Sequence, residues 1–292
     1  MPEKPTTATG YAPEYVELVR ATCLYVATNL GDLTDDLVVV GGLVPSLIVD
    51  QGNLAEGVEA HVGTMDLDVG LAVALLDQGR YRELSERLRR SGFTQDENER
   101  GNATRQRWKI EGAEKVTLDF LIEPTRPDDR GGSLRDIEPD FAAIIAPGLQ
   151  LAFVDRQRIT LTGRTIMGED AERDIWVCGP GAYIVLKALA FSLRGENKDA
   201  YDLFYVVRNY GSGVQEVADL LRPLLEEPDA EKALAVLRQD FTAHNALGPR
   251  RVAQFLTGEP DDAIQADVVG YIDALLQAVP SPGWRERPGR PR

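Results

Sequence analysis

The chain has 292 residues, 43% of them apolar and 27% charged, with a formal net charge of −15. This is the composition of a globular protein, and its acidic balance excludes a surface that binds nucleic acid everywhere while leaving room for a local basic groove. Two cysteines, Cys23 and Cys178, exclude a disulfide framework or a cysteine-rich zinc module and read as buried thiols in a reducing compartment. With only two histidines, His61 and His244, a histidine-rich metal centre is excluded. Any metal must be held by oxygen, which points to magnesium, manganese or calcium. The opening MPEKPTTATGYAPE lacks the apolar core of a secretion signal, and no segment reaches the roughly 18 apolar residues of a membrane span. The expected location is the cytoplasm, with no membrane partner.

Residues 1–12 and the Pro- and Arg-rich tail 281–292 are expected as mobile ends. Between them, YVELVRATCLYVATNL has apolar residues at helical spacing. The β-branched run LVVVGG predicts a strand closed by two glycines, and PSLIVDQ a short apolar helix. GTMDLDVGLAV predicts a strand, and RYRELSERLRRSGF an amphipathic helix with Leu84 and Leu88 on one face and arginines on the other. TRQRWKI and KVTLDFLIEP predict two more strands, and QLAFVDRQRITLTG a strand-rich stretch. From about Pro180 the pattern is helical, through AYIVLKALAFSLRG, DAYDLFYVVRNYG and four further segments punctuated by Gly and Pro. The fold class expected is α+β: a mixed sheet flanked by helices over residues 13–170, followed by a helical domain over 171–280.

The chemistry concentrates on three short stretches. In GTMDLDVGLAV, Asp66 and Asp68 are two residues apart on a strand and project from one side. Two carboxylates side by side repel unless a cation sits between them. In KVTLDFLIEP, Asp119 faces away from Val116, Leu118, Phe120 and Ile122 in an otherwise apolar run. If the two strands are neighbours, three carboxylates meet, and a pair of divalent ions bridging to phosphate would supply the missing charge. Upstream, VVVGGLVPS places Gly41 and Gly42 between a strand and a helix, where backbone N–H groups can approach a phosphate and Ser46 can add a hydroxyl donor. The plainer readings are a solvated strand face for Asp66 and Asp68, a surface residue for Asp119 and a simple tight turn for the glycines.

The order GGLVPS, TMDLDVGL, TLDFLI resembles the nucleotidyltransferase fold of the DNA polymerase β superfamily. KALAFSLRGENKDAYDLFYV, with Lys187, Arg194, Lys198, Asp199 and Asp202, resembles more narrowly the AbiEii/MenT-type nucleotidyltransferase toxins. The resemblance covers roughly residues 35–210. Two features depart from the pattern: a long loop between Gly42 and Asp66, and a Gly-Gly turn in place of Gly-Ser.

The resemblance implies that Asp66, Asp68 and Asp119 are catalytic and hold Mg2+ or Mn2+, with Asp119 serving as ligand or base for the acceptor hydroxyl. It implies that Gly41, Gly42 and Ser46 seat the phosphates of an NTP, and that Lys187 neutralises the triphosphate. Arg194, Lys198, Asp199 and Asp202 join the nucleotide site or orient its lysines.

The activity implied is Mg-dependent transfer of an NMP from an NTP to an acceptor hydroxyl. The acceptor implied is the 3′ end of tRNA, in the toxin of a toxin–antitoxin pair with a cognate partner protein. Alternatives are an antitoxin that modifies a protein hydroxyl, an aminoglycoside-like small-molecule acceptor, or a non-catalytic nucleotide-binding scaffold. Arg80, Arg82, Arg87, Arg89, Arg90, Arg105, Arg107 and Lys109 form the densest basic region, read as a solvated face paired with Glu83 and Glu86 or as a surface for RNA phosphates. The Arg-rich tail has the same two readings, His61 reads as a loop residue, and Trp108 and Trp176 as core.

Overall fold

A computed structural model describes residues 5–72, 78–97, 101–112 and 114–279. The tail 281–292 lies outside the described residues. The first helix, α1 (Pro13–Leu30), begins on a proline whose missing N–H costs nothing at that position, and it buries Val19, Cys23, Val26 and Leu30 along one face. Strand β1 (Leu37–Val40) is buried at all four residues, as a central strand covered on both faces requires. A 3-10 turn (Gly41–Leu43) leads into the short helix α2 (Val44–Ile48). Then come β2 (Asp66–Leu71), α3 (Gln78–Arg90), β3 (Thr94–Glu97), β4 (Ala103–Glu111) and β5 (Lys115–Ile122). The hairpin β6 (Leu134–Glu138) and β7 (Phe141–Ile145) follows, then α4 (Leu151–Val154) and a second, longer hairpin, β8 (Arg156–Arg164) and β9 (Asp170–Cys178). The helical half comprises α5 (Pro180–Arg194), α6 (Asn197–Asn209), α7 (Val214–Leu221), α8 (Pro228–Asp240), α9 (Leu247–Thr257) and α10 (Asp262–Ala278).

The sheet runs β3-β4-β5-β2-β1-β9-β8 and is mixed. β2 is antiparallel to β1 and parallel to β5, β4 is antiparallel to β5, and β9 is parallel to β1. β7 takes the end of β5 that β4 leaves free, at Leu121 and Ile122. Sheet and helices share one continuous core that includes Val38, Leu118 and Phe141 from the sheet and Tyr183, Phe191 and Val206 from the helices. The fold class read from the sequence is the one observed. The sheet, however, runs on through Cys178, so the change to helix falls at Gly179.

Three details differ from expectation. QLAFV supplies the short helix α4, because Leu151 and Ala152 are buried together rather than alternating. β3, β6 and β9 carry too much polar sequence for their strand character to be seen, and β7 (FAAII) is a short apolar run with no alternation to mark it. Residues 5–12, expected in a mobile end, pack instead: Tyr11 lies in an aromatic cluster with Tyr201, Tyr205 and Phe255, and Asn197 Nδ2 donates to the Thr6 carbonyl at 3.1 Å.

The start of α5 is fixed by Asp155, whose Oδ2 accepts from the Ala182 N–H at 2.8 Å and satisfies a donor the helix leaves open. Its end is Gly195 at φ +64, a left-handed position that glycine takes without cost. That turn starts α6 only two residues later and sets Lys187 and Arg194 of α5 against Asp199 and Asp202 of α6.

Candidate active site

β4, β5 and β2 place Arg107, Asp119 and Asp68 in one row across the sheet, since Arg107 is in register with Asp119 and Asp119 with Asp68. Asp66 lies on the same face of β2, and strand alternation turns the fully buried Leu67, Leu118 and Trp108 to the other. One carboxylate oxygen each from Asp66, Asp68 and Asp119 lies within 4.8 Å of the other two. Asp66 is 6% exposed and Asp119 3%, so neither is a solvated surface carboxylate. The donor set is all oxygen and convergent, which fits a hard divalent cation and no soft one.

Two neighbours support this triad. Thr64 Oγ1 donates to Asp66 Oδ1 at 3.0 Å. Arg107 donates from Nε to Asp119 Oδ1 at 2.7 Å and from Nη2 to Asp119 Oδ2, and Nη2 lies 3.9 Å from Asp66 Oδ2. The bonds to Asp119 hold the guanidinium above even its ordinary range.

The glycine pair is explained by the side chains packed against it. Gly41 follows the residue paired with Asp68, at φ +71, and a Cβ there would lie 2.0 Å from Asp68 Oδ2. A Cβ on Gly42 would lie 2.8 Å from the Thr64 side chain. Ser46 is directed elsewhere: its hydroxyl donates to the Leu43 carbonyl at 2.7 Å, and it lines a separate cavity. The phosphate-seating role expected of Ser46 therefore has no geometric support.

The helical half supplies the cations. Lys187 Nζ donates to Asp202 Oδ2 at 2.7 Å and to Asp199 Oδ1 at 3.0 Å. Lys198 Nζ reaches Asp202 Oδ1 at 2.7 Å, and Arg194 grips Asp199 through Nε at 2.6 Å and Nη2 at 2.8 Å. His61 completes the network, its Nε2 2.9 Å from Asp202 Oδ1 and its Nδ1 accepting from the Gly63 N–H at 3.0 Å. Since Nδ1 accepts, the ring's own proton sits on Nε2 and is donated to Asp202. Burial pushes His61 down to about 4 against the pull of Asp202, so it is neutral. Burial alone would raise the Asp202 carboxyl, but Lys187 and Lys198 outweigh it and hold the group well below the usual carboxylate range. Asp199 is likewise held low, Lys187 and Arg194 outweighing its burial. Lys187 is kept charged by Asp202 and Asp199 despite its burial.

Carboxylates and cations meet across a cleft of about 510 Å3 that includes Gly42, Asp66, Asp68, Lys187, Arg194 and Lys198 in its walls. A larger cavity, about 830 Å3, shares Tyr11 with the cleft but holds none of the three triad carboxylates. Of the residues singled out in the sequence, all but Ser46 thus gather around one centre. Missed were Thr64, Arg107 and His61. Strand alternation sets Arg107 opposite Trp108, but only the pairing of β4 with β5 puts it beside Asp119, and nothing local marks His61.

Most of the basic region is ion-paired. Arg80 pairs with Asp36, Arg87 with Asp32 and Glu83, Arg89 with Asp140, Arg90 with Glu86 and Arg105 with Asp136. Trp108 is core as expected, with the Arg89 guanidinium 5.2 Å from its ring centroid.

No curated protein matches the chain. It is similar to a solved structure, an antigenic nucleotidyltransferase-like protein from Paracoccidioides brasiliensis, at 19% identity over 75% of this chain and 93% of that one, with a TM-score of 0.39. The family described as nucleotidyl transferase AbiEii toxin, type IV toxin–antitoxin system, matches residues 29–288. With nearly its whole length matched, and with the Asp-x-Asp strand, the third aspartate and the Lys–Arg–Asp helices in that span, the chain belongs to the AbiEii family of nucleotidyltransferase toxins.

Proposed function

We propose that this enzyme moves a nucleoside monophosphate from an NTP to an acceptor hydroxyl, with the 3′ end of tRNA as the acceptor. The observation that carries the reading is the convergence of Asp66, Asp68 and Asp119 within 4.8 Å, with Asp66 and Asp68 in the wall of one cleft that also holds Lys187, Lys198 and Arg194. The acceptor oxygen attacks the α-phosphorus, the bond from that phosphorus to the bridging oxygen breaks, and pyrophosphate leaves. Mg2+ or Mn2+ held by the three aspartates would lower the pKa of the attacking hydroxyl and balance charge on the phosphates. Asp119 assists removal of the hydroxyl proton, as ligand or base. Lys187, Lys198 and Arg194 are fixed cations, already oriented by Asp199 and Asp202, that line the path of the triphosphate. Gly41 and Gly42 let the backbone pass close beside the same phosphates.

Among the described residues no helix is long and apolar enough to cross a membrane. The reading places the enzyme in the cytoplasm, with its NTP, its tRNA and a cognate antitoxin. A second acceptor class, a cationic small molecule, is favoured by the net charge of −15 and by the carboxylate pairing of the surface arginines.

The deciding assay follows label from each α-labelled NTP, with Mg2+, onto tRNA, onto protein and onto small polycations. Label on tRNA that is lost in Asp66→Asn supports the leading reading. Label on an aminoglycoside alone, or on a protein alone, replaces the acceptor. No transfer to any acceptor by the folded, metal-supplied protein overturns it.

A further inference from the structure

We infer that Arg107 is a built-in stand-in for the metal ion: it satisfies Asp119 until a divalent cation displaces it, and so it sets the metal affinity of the site. The inference rests on reading the three aspartates as the metal site. Its own basis is the row Arg107–Asp119–Asp68 across three strands.

The guanidinium spends two donors on both oxygens of Asp119, and the same Nη2 is 3.9 Å from Asp66 Oδ2. It thus lies against two of the three carboxylates whose oxygens converge within 4.8 Å. A divalent ion bound by all three must take an Asp119 oxygen that Arg107 holds, and must tolerate a fixed positive charge within contact distance of Asp66. Arg107 and the ion are therefore competitors for one carboxylate.

The alternation of β4 keeps Arg107 there. Trp108, fully buried on the opposite face, anchors the strand against Phe141 at 6.2 Å between ring centroids. The side chain is only 21% exposed, so water does little to weaken its pairing with Asp119. Three carboxylates on one sheet face would otherwise repel in the folded protein, and the arginine offsets that repulsion without metal. The cost is a site that takes its ion weakly until something else, such as a triphosphate, helps to hold it.

The test is Mn2+ binding to the full-length protein without nucleotide, read from the free-ion EPR signal, with the melting temperature recorded alongside. Arg107→Gln keeps the length of the side chain and removes its charge. It should tighten Mn2+ binding about tenfold or more, the worth of a charge-assisted bond given up by the competitor. It should also melt earlier without metal and gain more from Mn2+ than the wild type. Arg107→Lys keeps the charge but loses the two-pronged grip, and should shift affinity in the same direction by less. A residue that merely props Asp119 would do the opposite, its loss leaving metal binding unchanged or weaker. Unchanged or weaker binding in folded Arg107→Gln, or in Arg107→Lys should the first variant not fold, overturns the inference and leaves the metal site standing. Failure of every form, wild type included, to bind millimolar Mn2+ overturns the metal site and this inference together.

Discussion

The two charged clusters that face each other across the cleft solve opposite problems. Around Asp202 the charges are complete: two aspartates are met by Lys187, Lys198 and Arg194, and His61 donates the remaining hydrogen bond. Around Asp66, Asp68 and Asp119 three carboxylates converge within 4.8 Å, with Arg107 bonded to Asp119 and Thr64 to Asp66. A cluster complete in itself serves position and stability. Carboxylates crowded at one point can serve binding, because a cation from outside lowers their mutual repulsion. On the proposed function, the cleft has a basic wall suited to a polyanion and an acidic wall suited to an ion.

Substitutions can break that contrast in order of effect. Asp66→Asn and Asp68→Asn should each reduce nucleotidyl transfer by about a thousandfold or more, with the melting temperature unchanged or raised because repulsion is relieved. Transfer assays beside thermal melts check this, and retained turnover in both variants would remove the acidic wall from the chemistry. Asp202→Ala should instead unfold the protein more easily, by about 3–5 kcal/mol in urea titrations, since it strands the buried Lys187 and the half-buried Lys198.

Acid should act on the same wall. His61 sits at about 4 when folded and near 6.5 when not. The unfolded chain takes up a proton the folded one refuses, so this contribution is full above pH about 6.5 and is lost as pH falls toward 4, about 3 kcal/mol in all. Asp199 and Asp202, held low in the fold, add loss of the same sign at lower pH. Melting His61→Asn across that range should give a flatter profile than wild type.

Smaller effects sharpen the picture further. Gly41→Ala puts a methyl into Asp68 at φ +71, and should cost about 1–3 kcal/mol of stability together with most of the activity. Arg90→Gln, which breaks an exposed pair with Glu86, should change unfolding by less than about 0.5 kcal/mol.

How much of this was readable depended on whether the signal was local. Asp66, Asp68 and Asp119 were visible because each interrupts an apolar strand, and a carboxylate in that setting needs a reason. Lys187 and Asp202 were visible through the family resemblance of the stretch KALAFSLRGENKDAYDLFYV. Arg107 was not, because a sequence does not say which strand lies beside which, and its neighbours Arg105 and Lys109 made it look like surface. His61 was further still from reach: its partner Asp202 lies in the other half of the chain, and its burial comes from stacking on Tyr201 at 5.3 Å. Ser46 failed for the converse reason, a plausible donor whose hydroxyl the local turn had already claimed.

The packing of the first residues has a practical consequence. Pro5 and Thr6 line the cleft that holds Asp66 and Lys187, and the Tyr11 ring lies 5.3 Å from Lys198 Nζ. On the proposed function, a purification tag fused ahead of Met1 would lie only a few residues along the chain from the cleft that takes the triphosphate. Tagged and cleaved enzyme should therefore be compared for KM toward NTP before inactivity of a tagged preparation is assigned to the protein itself.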